Sequence, residues 1–206
     1  MSSSLSVYLL DIAATRALVG SRDDELLAWV RAAFPDLLAQ DDDYFSHAIE
    51  QGAPTASEAL HAVVHGGPFS ENRDHAFTYG YAYKRLCSLT GRFLDNNSFT
   101  PHRGDWLSMV DEGLKTRGVT AVSVADFGYG SLPSPLPWAD APSCGEWAPE
   151  HIAEALRQYE AGQGAVAASG QASALEPAVE EAVTQCLGWI RMAAAKPGFG
   201  VIGFRF

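Results

Sequence analysis

Residues 65–85 read HGGPFSENRDHAFTYGYAYKR, and the fold turns on whether the aromatic half of that run is a strand or a helix. As a strand, Phe77, Tyr79, Tyr81 and Tyr83 would share one face; as a helix, Tyr79 and Tyr83 point inward and Tyr81 points away. The continuation KRLCSLTGRFL decides for the helix, because Leu86, Cys87, Thr90 and Leu94 prolong the face of Tyr79 and Tyr83 over further turns. The spacing predicts a helix over residues 74–94, preceded by a loop at 67–73 and ended by Asn96 and Asn97. Asp74 and His75 then stand at its N-terminus, with Asp74 expected as the cap.

On the N-terminal side, SVYLL at 6–10 reads as a short buried strand that stops at Asp11. From Asp23, apolar residues recur with helical spacing at Leu26, Leu27, Val30, Phe34, Leu37 and Leu38, with Pro35 ending or kinking that helix. The cluster DDDYFSHAIEQG follows, with Asp43 expected as the N-cap of a short helix and Gly52 as its stop. Thr55 and Glu58 have capping-box spacing and start a helix that runs to Gly66 with Leu60, Val63 and Val64 inward.

On the C-terminal side, Asp105 is expected to cap a helix carrying Leu107, Val110 and Leu114, with Gly118 past its end. VTAVSV at 119–124 is the strongest strand signal in the chain. Residues 126–148 are crowded with Pro and Gly and read as a long loop; a helix begins at Pro149. AGQGAVAASGQAS at 161–173 reads as a flexible linker, a last helix starts near Pro177, and GVIGFRF closes the chain as a strand. The expected architecture is a single α+β domain over 1–206, in which a small, mostly antiparallel or mixed sheet of about three strands packs with a majority of helices.

The 206 residues, 47% hydrophobic and 19% charged, have the composition of an ordinary globular protein. No basic residue precedes Arg16, the first apolar run breaks at Asp11, and no stretch approaches a membrane span, so a cytoplasmic location is expected. Cys87, Cys144 and Cys186 are far apart and odd in number, which points to reduced thiols. The net charge of −11 is unevenly placed. Residues 32–72 contain no Lys or Arg, whereas 73–117 hold seven basic side chains against five acidic ones. Such a charge disfavours nucleic acid and anionic membranes, and leaves a basic protein partner or a small anionic ligand as the expected partners.

No P-loop, dinucleotide fingerprint, H-E-x-x-H, G-x-S-x-G or EF-hand loop occurs, and no cofactor is expected. Glu58, His61 and His65 fall on one helical face, the raw material of a metal site that would still need a further ligand. They lie nearly opposite Leu60, Val63 and Val64 and so face solvent or a partner. Around the quoted run, Asp74 and His75 are the candidates for proton transfer, and Arg73, Tyr79, Arg85 and Tyr129 for ligand binding. Trp106, Trp138 and Trp147 also lie in or near loops. Two readings follow. The leading one is a binding or protein-interaction module with an acidic surface, acting as an inhibitor or immunity-like factor would. The alternative is a small-molecule enzyme or ligand binder using a cleft near His75 and the Pro-rich loop.

The segments SVYLLDIAATRALVGSRDDELL, GAPTASEALHAVVHGGPFSENRDHAFTYGYAYKRLCSLTGRFLDNNSFTPHRGDWLSMVDEGL, FGYGSLPSPLP and GEWAPEHIAEAL resemble a bacterial family of unknown function common in actinobacteria. YAYKRLCSLTG and the W-x-P-E run from Trp147 to Glu150 are similar to the YfbM-like family, which implies a shared α+β topology. Neither resemblance carries an activity or a site residue.

Overall fold

The computed structural model describes residues 2–169 and 175–206. In chain order the elements are β1 (Leu5–Asp11), α1 (Ile12–Ala17), α2 (Asp24–Ala33), α3 (Pro35–Tyr44), α4 (Ser46–Glu50), α5 (Ala56–His65) and α6 (Ala76–Thr90). There follow β2 (Arg92–Leu94), α7 (Trp106–Thr116), α8 (Asp126–Tyr129), β3 (Ser143–Trp147), α9 (Pro149–Ser169), α10 (Pro177–Ala194) and β4 (Phe199–Arg205). Two compact units result. The first takes residues up to 12, 91–130 and the described part of 143–206; the second takes 13–90 and 131–142.

The first unit holds the whole sheet, in the order β2-β1-β4-β3 and antiparallel throughout. The fold is α+β, but among the described residues the sheet has four strands rather than the expected three or so. The first and last strands pair over seven residues, from Leu5 opposite Arg205 to Asp11 opposite Phe199, and Ser4 and Phe206 extend the ladder by exchanging backbone hydrogen bonds. Both central strands read as near-continuous apolar runs because both of their faces are buried. Leu5, Val7, Leu9 and Val201 join a core with Phe99, Phe127, Trp147 and Trp189, supplied with further side chains by α7, α9 and α10. Gly203 is required there, since a Cβ at that position would lie 2.4 Å from the Phe127 ring.

The sharpest departure from expectation is VTAVSV, which forms no strand. Val119, Val122 and Val124 are buried in the core, so their hydrophobicity is used, but their backbone is held by side chains instead of a neighbouring strand. The Asp111 carboxylate accepts from Val124 N (2.6 Å), Ala125 N (3.1 Å) and the Ser123 hydroxyl (2.7 Å), while Gln158 Oε1 accepts from Thr120 N and Ala121 N. With the donors of Val119, Thr120, Ala121 and Val124 engaged away from any strand, the segment joins no ladder. The missing strands are β3, whose SCGEW carries Gly and Glu, and the three-residue β2.

Two stretches read as loops are partly ordered. The Pro/Gly-rich stretch at 126–148 starts with α8 and finishes with β3, which leaves 130–142 irregular. The stretch at 161–173 is not a linker over its first nine residues, since α9 continues to Ser169; residues 170–173 lie outside the described residues. Small residues are compatible with a helix, and Gly162 is needed where α9 passes the Arg117 carbonyl, 2.8 Å from its would-be Cβ.

In the second unit the capping box forms as expected. Glu58 N donates to Thr55 Oγ1, Thr55 N donates to Glu58 Oε2, and Gly66 ends α5 in the left-handed conformation at φ 73°. Asp23 caps α2, and Pro35 both ends that helix and starts α3. The acidic triplet 41–43 therefore belongs to α3, and Asp43 caps nothing: α4 starts after Phe45 with no side-chain cap. The aromatic run is helical, with Tyr79, Tyr83, Leu86 and Cys87 buried, but α6 ends at Thr90 and Arg92–Leu94 pairs with β1. Asp74 is not its cap either. Asn72 Oδ1 accepts from Asp74 N across a single 3₁₀ turn, Arg73–His75, that leads into the helix. Among the described residues no helix is long and apolar enough to cross a membrane.

Replacing Asp111 by Ala strips three donors of their acceptor in a partly buried place. We expect the variant to lose about 2–3 kcal/mol of unfolding free energy in urea titrations. A loss below about 0.5 kcal/mol would show that the 119–125 segment holds without it.

Candidate functional site

The loop at 67–75 and the Pro-rich segment meet within the second unit. They form a cleft of ≈ 800 Å³ lined by Ser70, Arg73, Asp74, Phe77, Trp138 and Asp140 among others. The start of α6 supplies Phe77, the 3₁₀ turn supplies Arg73 and Asp74, and the opposite wall is the irregular run 137–141. Trp138 is 72% exposed, a large aromatic face held in solvent beside two carboxylates and one guanidinium.

Of the residues singled out in the sequence, the cleft gathers Arg73 and Asp74 but not His75, Tyr79 or Arg85. His75 sits in a local network: Nδ1 lies 3.1 Å from Ser70 Oγ and Nε2 lies 3.1 Å from Asn72 Nδ2. Asn72 uses its Oδ1 to accept from Asp74 N, so its amide NH₂ faces His75 Nε2, and the ring carries its proton on Nδ1. Both ring nitrogens are thereby occupied. Tyr79 is buried, its hydroxyl accepting from Ser70 N at 2.7 Å. This pins the loop onto the helix.

Arg85 is held two turns along α6 by a bidentate pair with Asp41, Nε to Oδ2 at 2.9 Å and Nη2 to Oδ1 at 2.7 Å. Next to it, burial pushes the Tyr81 phenol up to about 12, with Tyr44 and Asp41 adding to the effect. Burial also draws Lys84 down to about 8, reinforced by Arg85 and opposed by Asp41. The hollow beside these groups, lined by Leu38, Phe45, Leu60, Tyr81 and Arg85 among others, measures only ≈ 20 Å³. It is large enough for a water and too small for a substrate.

The metal candidates separate. Glu58 is engaged by the Thr55 backbone and hydroxyl, which hold its carboxylate below its ordinary value. His61 and His65 stack, with ring centroids 4.1 Å apart, and the third group beside them is Asp24 of α2, whose Oδ1 lies 3.0 Å from His65 Nε2.

Sequence reading missed a second constellation, in the first unit. His102 is 6% exposed, and its Nδ1 donates to the Phe99 carbonyl at 2.8 Å, so in the neutral ring Nε2 carries the lone pair, and it has no partner among the described residues. Burial lowers its pKa against that hydrogen bond, and the Arg205 charge adds to the lowering. Ser98 Oγ and Arg205 Nε are likewise buried without partners among the described residues. All three line one or other of two hollows that share His102. One is ≈ 40 Å³, with Asp105, Ser108, Tyr129 and Arg205; the other is ≈ 280 Å³, with Ser98, Arg103 and Trp106. An imidazole lone pair, a hydroxyl and a guanidinium N–H together offer both acceptor and donors to a small polar guest. A lone His in PHRGD carries no spacing pattern, so nothing in the chain marked it. Tyr129, at 80% exposure, stands at this rim, and Trp147 is core, donating from Nε1 to Ser123 O.

Lys84 gives a pH test of the second unit. Its folded-state pKa lies below the ordinary value, so the unfolded chain binds the extra proton above about pH 8 and stability rises with pH there. Between pH 7.5 and 9.5 the unfolding free energy should rise by about 1–2 kcal/mol relative to Lys84→Met. Parallel pH profiles for the two proteins would contradict the burial of that amine.

No curated protein and no solved structure matches the chain. A family model does, over residues 1–206. The chain therefore belongs to the family described as a domain of unknown function, DUF7691.

Proposed function

We propose that this chain is a binding module whose cleft in the second unit receives a basic segment of a partner protein, as an inhibitor or immunity-like factor would. The supporting observation is the make-up of that cleft: Trp138 and Phe77 beside Asp74 and Asp140, with Arg73 the one opposing charge among the lining residues. An aromatic face flanked by carboxylates suits a lysine or arginine side chain, through cation–π attraction and charge-assisted hydrogen bonds together. The surrounding unit carries twelve carboxylates against six basic side chains, which favours encounter with a cation at modest salt. Arg73 can meet a backbone carbonyl of the incoming segment. The enzymatic alternative has less support, because His75 has both nitrogens engaged and Arg85 is paired with Asp41.

Fluorescence anisotropy with a labelled lysine- and arginine-rich peptide tests the reading on the full chain. Binding should weaken as salt is raised, fall about 5–10-fold in Trp138→Ala and fall further in the double variant Asp74→Asn/Asp140→Asn. Peptide affinity that ignores all three positions would remove the cleft from consideration.

A further inference from the structure

A third cluster lies apart from the cleft, on the outer faces of α2 and α5. We infer that Asp24, His61 and His65 form a binding site for a borderline divalent cation of the zinc and nickel kind, one that ties α2 to α5.

The ligand types fit: two imidazoles and one carboxylate suit zinc, nickel or cobalt, and three protein ligands leave room for water. The geometry is close to what such an ion needs. The three ligand atoms all lie within 4.8 Å of one another. Bonds of about 2.0–2.1 Å set at tetrahedral angles put ligand atoms about 3.3 Å apart. His65 Nε2 and Asp24 Oδ1 are already at 3.0 Å, so the remaining closure falls on the exposed His61 ring, which turns out of its stack on His65 to reach the ion. The His61 and His65 rings are four residues apart on one helix and stacked within 10° of parallel.

The third ligand is positioned by backbone, and this is why the cluster is more than a chance meeting of surface groups. Residues 20–22 are strapped to the last turn of α5, with Gly20 N donating to Val63 O at 3.0 Å and Arg22 N to Val64 O at 2.9 Å. Arg22 takes a left-handed φ of 59° to make this turn, a conformation with a cost outside Gly and Asn. Asp23 then caps α2, and Asp24 follows as its first residue, facing the end of α5. Farther along, Arg31 Nε donates to Ser57 Oγ, so the two helices are tied at a second place and their register is set. A cation here also sits at the C-terminal end of α5, where the helix dipole favours positive charge. On binding, His65 is a neutral imidazole that offers the Nε2 lone pair and keeps its proton on Nδ1, and the Asp24 carboxylate exchanges its contact with Nε2 for one with the metal.

The test is titration of the tag-free full chain with Zn²⁺ and Co²⁺ by calorimetry, with the visible Co²⁺ spectrum as an independent readout. One ion should bind per chain, and thermal unfolding should move upward with added Zn²⁺. His61→Ala or His65→Ala should each weaken binding at least about tenfold and abolish the thermal shift, and Asp24→Asn should weaken it less. His47→Ala, at an imidazole hydrogen-bonded to Gln51 on α4, should change nothing. Circular dichroism without metal confirms that each variant folds. Uptake retained within about twofold by His61→Ala/His65→Ala, or none at about 0.1 mM Zn²⁺ or Co²⁺, overturns the site. Asp74→Asn/Asp140→Asn should leave metal uptake intact, so failure here and failure of the cleft remain distinguishable.

Discussion

The pairing of β1 with β4 is the constraint on which the sheet depends. It joins residue 5 to residue 205 and so closes nearly the whole chain into one loop, at an entropic cost of roughly 5 kcal/mol. Burial offsets this several times over: Leu5, Val7, Leu10, Val201, Ile202 and Phe204 are fully buried, each contributing about 1.5–3 kcal/mol. β2 and β3 add to the outer edges of this pair. Their short, mixed sequences are acceptable because the central ladder already sets direction and register.

What could be read in advance follows from whether the physics is local. The α5 cap was legible because Thr55 and Glu58 satisfy each other's backbone within one turn, and α6 because Tyr79, Tyr83 and Leu86 share one face. VTAVSV misled because β-branched residues report burial, while strand formation needs a neighbour; Asp111 and Gln158 took the donors first. The site divides in the same way. His61 and His65 were visible as helical neighbours, but Asp24 is brought to them by a turn of the chain 41 residues from His65. The carboxylate that spacing did suggest, Glu58, was already engaged in the cap. His102 had no local signature at all, since its significance lies in what fails to meet its Nε2.

The acidic character of the second unit is also less superficial than a charge count implies. Asp23 caps α2, Asp41 clamps Arg85, Asp42 accepts from Ala56 N at the start of α5, and Glu58 completes the capping box. These four organise helices. The carboxylates left to face a partner are fewer and more localised, which makes Asp74 and Asp140 beside Trp138 a more specific feature than the overall charge of −11.

The order of the sheet has a consequence for biosynthesis. Of the strands in the sheet β1 leaves the ribosome first, and β4, which covers one of its edges, follows only after the other three. At about 5–20 residues per second, the interval is roughly 10–40 s, during which an apolar strand has at most the three residues of β2 beside it. The nascent polypeptide therefore carries an adhesive edge throughout that interval, and the sheet cannot close before β4 has been made.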